Sequence, residues 1–151
     1  MKHSDPKLID DALVTALARV SLFAGLTRLQ LIWLLNAMTR VSIKSGDLFF
    51  DEGDQADCLY VFIAGDAVVE KKNSTGWRTL ATLQPSETFG EMAIVDRLPR
   101  SARVRALKDC VALSLKSLRL DNAPEIAVEI FRNIAALQSK RIRKMNEAGT
   151  V

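Results

Sequence analysis

The chain has 151 residues, 48% of them hydrophobic, and a net charge of +3. This is the composition of one compact domain, and no apolar run is long enough to span a bilayer. The N-terminus lacks a signal-peptide core, and Cys58 and Cys110 stand far apart with no CxxC or Cys/His cluster. A cytoplasmic chain with no metal and no disulfide is expected, its two thiols buried as small apolar groups.

Residues 7–20 read as an amphipathic helix, with Leu8, Ile9, Ala12, Leu13, Ala16, Leu17 and Val20 at helical spacing after Asp5-Pro6. Ser21 to Leu26 breaks that period, and Thr27 is placed to cap a second helix carrying Leu31, Trp33, Leu34 and Leu35. From Met38 to Leu115 the pattern becomes one of short strands. Val41-Ser42-Ile43, Leu48 to Phe50, Leu59 to Ile63, Val68-Val69, Trp77 to Leu83 and Ala102 to Ala106 are separated by turns at Gly46, Gly53, Gly65 and the polar run Lys71 to Gly76. Strands at this rhythm predict an antiparallel sandwich or jelly roll. Asp51, Glu52, Asp54 and Asp57 do not follow the spacing of a calcium loop and are expected to form a solvated turn.

Leu113 to Asn122 predicts a short helix, and Pro124 opens a longer one running to Glu147, about 36 Å at ~1.5 Å per residue. Ile126, Ile130, Ile134 and Leu137 line one face, and Ile142 and Met145 continue it after a polar interruption. The expected fold class is α+β. It comprises an N-terminal helical segment (1–37), an antiparallel β-roll or jelly roll (38–115; a double-stranded β-helix) and C-terminal helices (116–147), together one domain.

The chemistry concentrates in residues 89–104. Gly90 permits a sharp turn and a close ligand approach, and Met92-Ala93-Ile94 can start a helical turn whose free amides attract phosphate. Arg100 supplies a planar fork that fits two phosphate oxygens, with the Ser101 hydroxyl beside it. Glu91 repels a phosphate, yet it suits a ribose hydroxyl, so a ligand with both sugar and phosphate accounts for the pair. The competing reading is a surface ion pair between Glu91 and Arg100, of little energetic worth.

Phe89-Gly90-Glu91-Met92-Ala93-Ile94 followed by Pro99-Arg100-Ser101-Ala102-Arg103-Val104 resembles, at every patterned position, the phosphate-binding cassette of cyclic nucleotide-binding domains. Those domains occur in catabolite activator-type regulators, kinase regulatory subunits and gated channels. The nine-residue step from Glu91 to Arg100 is similar to that of the kinase subunits. Leu22-Phe23-Ala24-Gly25-Leu26 and the glycines at 46, 53 and 65 also resemble the family, so the resemblance spans roughly 20–147. It implies that Glu91 takes the ribose 2′-hydroxyl and Arg100 the cyclic phosphate, within a cradle of Gly90, Met92, Ala93, Ser101 and Ala102. It further implies a base and sugar wall of Val69 and Leu80, and a C-terminal helix that closes over the base with Arg141, Met145 and Asn146 and pairs with its twin in a homodimer. Serine at position 101 also resembles the cyclic AMP-binding activators, which implies cyclic AMP in preference to cyclic GMP.

Lys140, Arg141, Arg143 and Lys144 form a basic cluster, which a helix C-terminus favours without any nucleic acid. Only Ala148 to Val151 follow, leaving no room for a helix-turn-helix, so no DNA-binding domain and no direct gene regulation are expected. His3, the single histidine, lies in what reads as a loose N-terminus, so no catalytic residues are assigned. The expectation is a sensor of cyclic nucleotide that uses no further cofactor, touches no membrane and acts on an unknown downstream protein. The open alternatives are a ligand-free interaction module of the same fold and the sensor piece of a longer protein.

Overall fold

The computed structural model describes residues 2–4 and 11–149. Two antiparallel sheets form the roll among them. One runs in the order β1 (Lys2–Ser4), β2 (Thr39–Ile43), β9 (Cys110–Lys116), β4 (Cys58–Ala64), β7 (Thr88–Phe89); the other β3 (Leu48–Phe50), β8 (Arg103–Ala106), β5 (Ala67–Asn73), β6 (Gly76–Leu83). The helices are α1 (Asp11–Ala18), α2 (Arg28–Ala37), α3 (Met92–Asp96), α4 (Ser117–Leu120) and α5 (Pro124–Glu147), with a 3₁₀ turn at Ser21–Phe23.

Side-chain alternation divides the interior in two. In β4, Cys58, Tyr60 and Phe62 point into the roll, where they meet Phe49, Phe89 and Val104. Leu59 and Val61 point the other way, onto Leu17, Leu34, Leu113, Leu115 and Ile130. The centre of the five-stranded sheet is therefore buried on both faces, with helices on its outer side.

Thr27 caps α2 as expected, its hydroxyl accepting from Gln30 N while the Gln30 side chain accepts from Thr27 N. Gly46, Gly53 and Gly65 turn the chain at φ +90°, +88° and +113°. The long helix has the predicted bounds.

Several expectations are corrected. Residues 7–10 of the first predicted helix lie outside the described residues, and the stripe that α1 buries is Val14 and Leu17 rather than one running through Ala12. The short helix drawn over Leu113 to Asn122 begins as strand: β9 runs to Lys116, pairing with β2 on one side and β4 on the other, and the helix is confined to Ser117–Leu120. An apolar run buried on both faces has no period to read. β5 continues through Lys71, Lys72 and Asn73, which were assigned to a turn. His3 stands in β1 opposite Val41, not in a loose N-terminus. On α5, Ile142 and Met145 do not continue the buried face, because they are 52% and 47% exposed.

Candidate functional site

β7 ends at Phe89, which stacks on Tyr60 with ring centroids 4.9 Å apart. The chain then turns at Gly90, where φ is +77°. Glycine is required there twice over: the backbone is left-handed, and a Cβ would collide with Nη1 of Arg100. The single turn of α3 follows. Residues 95–99 then run exposed over the surface to Arg100.

Arg100 is only 6% exposed. Its Nη1 donates to the Gly90 carbonyl at 2.9 Å and its Nη2 to the Cys58 carbonyl at 2.6 Å. The guanidinium lies 4.1 Å above the Phe50 ring, a cation–π contact on one face. The acidic turn after β3 holds the backbone: Gly53 N donates to the Arg100 carbonyl and Arg100 N to the Asp54 carbonyl, each at 2.8 Å. Nε of Arg100 is buried with no partner, and no carboxylate pairs with the guanidinium among the described residues. A buried cation without a counter-charge is costly, and the orphaned donor fits an oxyanion.

Glu91 is 5% exposed, and it does not pair with Arg100. The simple ion pair between them is thus absent. Its Oε1 instead lies 3.6 Å from Nη1 of Arg141, a half-exposed residue of α5. At that separation the contact is a weak ionic one.

Both charges border a cavity of about 350 Å³. Of the predicted residues, Val69, Gly90, Glu91, Met92, Arg100, Ser101 and Ala102 line it. Ala93 lies within α3. Leu80 is outside the lining for a definable reason. Val69 pairs with Ala81 and Glu70 with Thr79, so Leu80 is the extra residue of a β-bulge, and Ala81 takes the place opposite Val69. Arg141 reaches Glu91 rather than lining the cavity, and the exposed Met145 and Asn146 lie further along α5, also outside the lining.

Phe50, Phe89, Asp96, Leu98 and Val104 line the cavity without having been predicted. A register shift between Leu48 and Phe50 brings Phe50 as well as Phe49 against Tyr60 and Phe89, an irregularity with no signal in the sequence. Asp96 and Leu98 fall in the variable stretch of the cassette and gave none.

Burial pushes the Cys58 thiol and the Tyr60 hydroxyl up from their ordinary values, so both stay protonated at neutral pH. What the geometry offers is a seat for an anion beside an acceptor for a hydroxyl, separated by apolar walls.

A β-roll whose cassette turn sets a buried arginine with no carboxylate partner on a cavity wall defines a fold suited to binding a small anionic ligand. The sequence model of the cyclic nucleotide-binding domain matches residues 40–123, and the chain belongs to that family. It is 30% identical over 135 residues to a "CRP-like cAMP-activated global transcriptional regulator" of Mycobacterium tuberculosis, covering 86% of this chain and 58% of that one. It is 34% identical over 129 residues to a cGMP-dependent protein kinase of Eimeria tenella, covering 83% of this chain and 12% of that one. The crystal structure of the N-terminal domain of a transcriptional regulator from Streptomyces coelicolor A3(2) superposes with a TM-score of 0.74 at 35% identity, covering 90% of this chain and 96% of that one. The chain thus spans little more than half the length of the mycobacterial regulator it matches.

Proposed function

We propose that this chain is a cyclic nucleotide sensor that binds cyclic AMP in preference to cyclic GMP and signals through α5. The carrying observation is Arg100: a buried guanidinium with an orphaned Nε, no carboxylate partner and a place on the cavity wall. The cyclic phosphate takes Arg100 with the backbone around Gly90 and Ser101, while the ribose 2′-hydroxyl takes Glu91. The preference for cyclic AMP rests on Ser101, and the name of the mycobacterial relative supports it.

α5 is the moving part. Arg141 meets the same carboxylate that the ribose requires, so filling the cavity changes the ionic contact that joins α5 to the cassette among the described residues. For that change to signal, ligand must bind one position of α5 better than another. Val128, Phe131, Ala135, Gln138, Ile142 and Met145 recur along α5 at alternating steps of three and four, the spacing of a coiled-coil seam. Val128, Phe131, Ile142 and Met145 are exposed, which supports pairing of α5 with a second copy. The reading is regulatory and non-enzymatic, in the cytoplasm, with an output protein still to be found.

Isothermal titration of the purified chain, stripped of carried nucleotide, with cyclic AMP and cyclic GMP tests this. Arg100→Ala is expected to weaken binding roughly 30- to 4,000-fold, from the ~2–5 kcal/mol lost when one member of a buried charge pair is removed. Wild-type affinity in that variant, or no heat from the wild type, overturns the assignment. A cyclic GMP affinity tenfold above that of cyclic AMP overturns the preference.

A further inference from the structure

Outside the cassette, one side chain touches the cradle from another strand. Lys71 of β5 donates from Nζ to the carbonyl of Ser101 at 3.1 Å. Strand alternation puts Lys71 on the same side of the sheet as Val69, which lines the cavity, and Ser101 lines it as well. Directly across the ladder stands Arg78, paired in register with Lys71. Like charges opposite one another in a sheet repel, and no carboxylate pairs with either among the described residues. The neighbouring cations differ: Arg103 and Arg105, on the outer side of the sheet, share Glu70. On the outer side Glu70 offsets part of the arginine charge, whereas neither Lys71 nor Arg78 has a carboxylate partner among the described residues.

We propose that Lys71 is a second phosphate-recognising cation of the site, supplied by β5 rather than by the cassette, with Arg78 behind it reinforcing the local positive potential. On binding, its ammonium exchanges the Ser101 carbonyl for an exocyclic oxygen of the ligand's phosphodiester. The ligand class is an anionic nucleoside phosphodiester, and the proposal rests on the cyclic nucleotide reading above. An ammonium on a flexible stem suits this part, because it can leave a carbonyl for a phosphate without disturbing the fold.

The test is calorimetric titration with cyclic AMP at about 20 mM and about 500 mM salt, where screening lengths differ several-fold. Wild type, Lys71→Met, Lys72→Met and Arg100→Ala are compared. Lys72 pairs with Trp77 and lies on the opposite side of the sheet, so it controls for diffuse charge. Lys71→Met is expected to bind roughly two- to fivefold more weakly at low salt, with the gap closing at high salt, as for a half-screened ion pair. Lys72→Met should match the wild type at both. Unchanged binding in Lys71→Met, an equal loss at both salts, or an equal loss in Lys72→Met overturns the role of Lys71. If Arg100→Ala loses affinity while Lys71→Met does not, only this proposal falls. If the wild type gives no heat, the nucleotide site and this proposal fall together.

Discussion

Replacing Gly90 by alanine strikes the site at two separable points. The first is the backbone: at φ +77° an alanine is left-handed, costing about 1–2 kcal/mol. For a chain of this size that corresponds to a fall in Tm of roughly 2–8 °C. The second is the guanidinium: the new Cβ would meet Nη1 of Arg100, which must move off the Gly90 carbonyl and away from its seat on Phe50. A charge-assisted hydrogen bond to ligand lost in this way costs about 1.5–3 kcal/mol, or roughly 10- to 150-fold in affinity. Gly46→Ala separates the two effects. Gly46 has φ +90° but open space where a Cβ would stand, so it shares the backbone cost without the collision. Thermal melts and calorimetry with cyclic AMP should show both variants destabilised and only Gly90→Ala impaired in binding. Wild-type affinity in Gly90→Ala, or an equal loss in Gly46→Ala, would refute the steric reasoning.

Hydrogen bonds from Arg105 and Arg103 hold the Glu70 carboxyl below the usual carboxylate range. A depressed folded-state value means stability that is present above the unfolded value of ~4.3 and lost as pH falls through the folded one. Urea melts should show Glu70→Gln less stable than wild type at pH 7, with the gap constant down to about pH 5 and closing below about pH 4; a gap that persists in acid would count against the carboxylate. For α5, Ile142→Asp should turn a wild-type dimer into a monomer in sedimentation, because it buries a charge in the apolar seam; a monomeric wild type at ~100 μM would dismiss the seam.

Much of the fold was legible because local rules and tertiary demands agree. Thr27 with Gln30 announces a helix start, Pro124 opens α5, and the glycines at 46, 53 and 65 mark turns that occur. Glu91 and Arg100 were legible as neighbours of one loop because both flank the short stretch that follows the turn glycine, and both line the same cavity. What failed shares a cause: burial that erases periodicity, or an irregularity that shifts it. β9 alternates between two apolar environments and therefore looks like neither strand nor helix. Leu80 was misplaced by one residue of bulge. Ile142 and Met145 look like core in sequence, but they lie past Ile134, the last buried residue of α5, and are exposed. The platform under Arg100 was hidden because Phe50 is near in space to the cassette and far from it in the chain.

The unpaired guanidinium of Arg100 bears on how long the protein survives as well as on what it binds. An occupant that binds only the folded chain raises its stability by about 2.7 kcal/mol at a hundred times its Kd. The folded fraction, and with it resistance to proteolysis, then follows the concentration of the occupant. On the signalling proposed for α5, a cell would register the ligand twice, once in the position of that helix and again in the number of molecules that remain to report it.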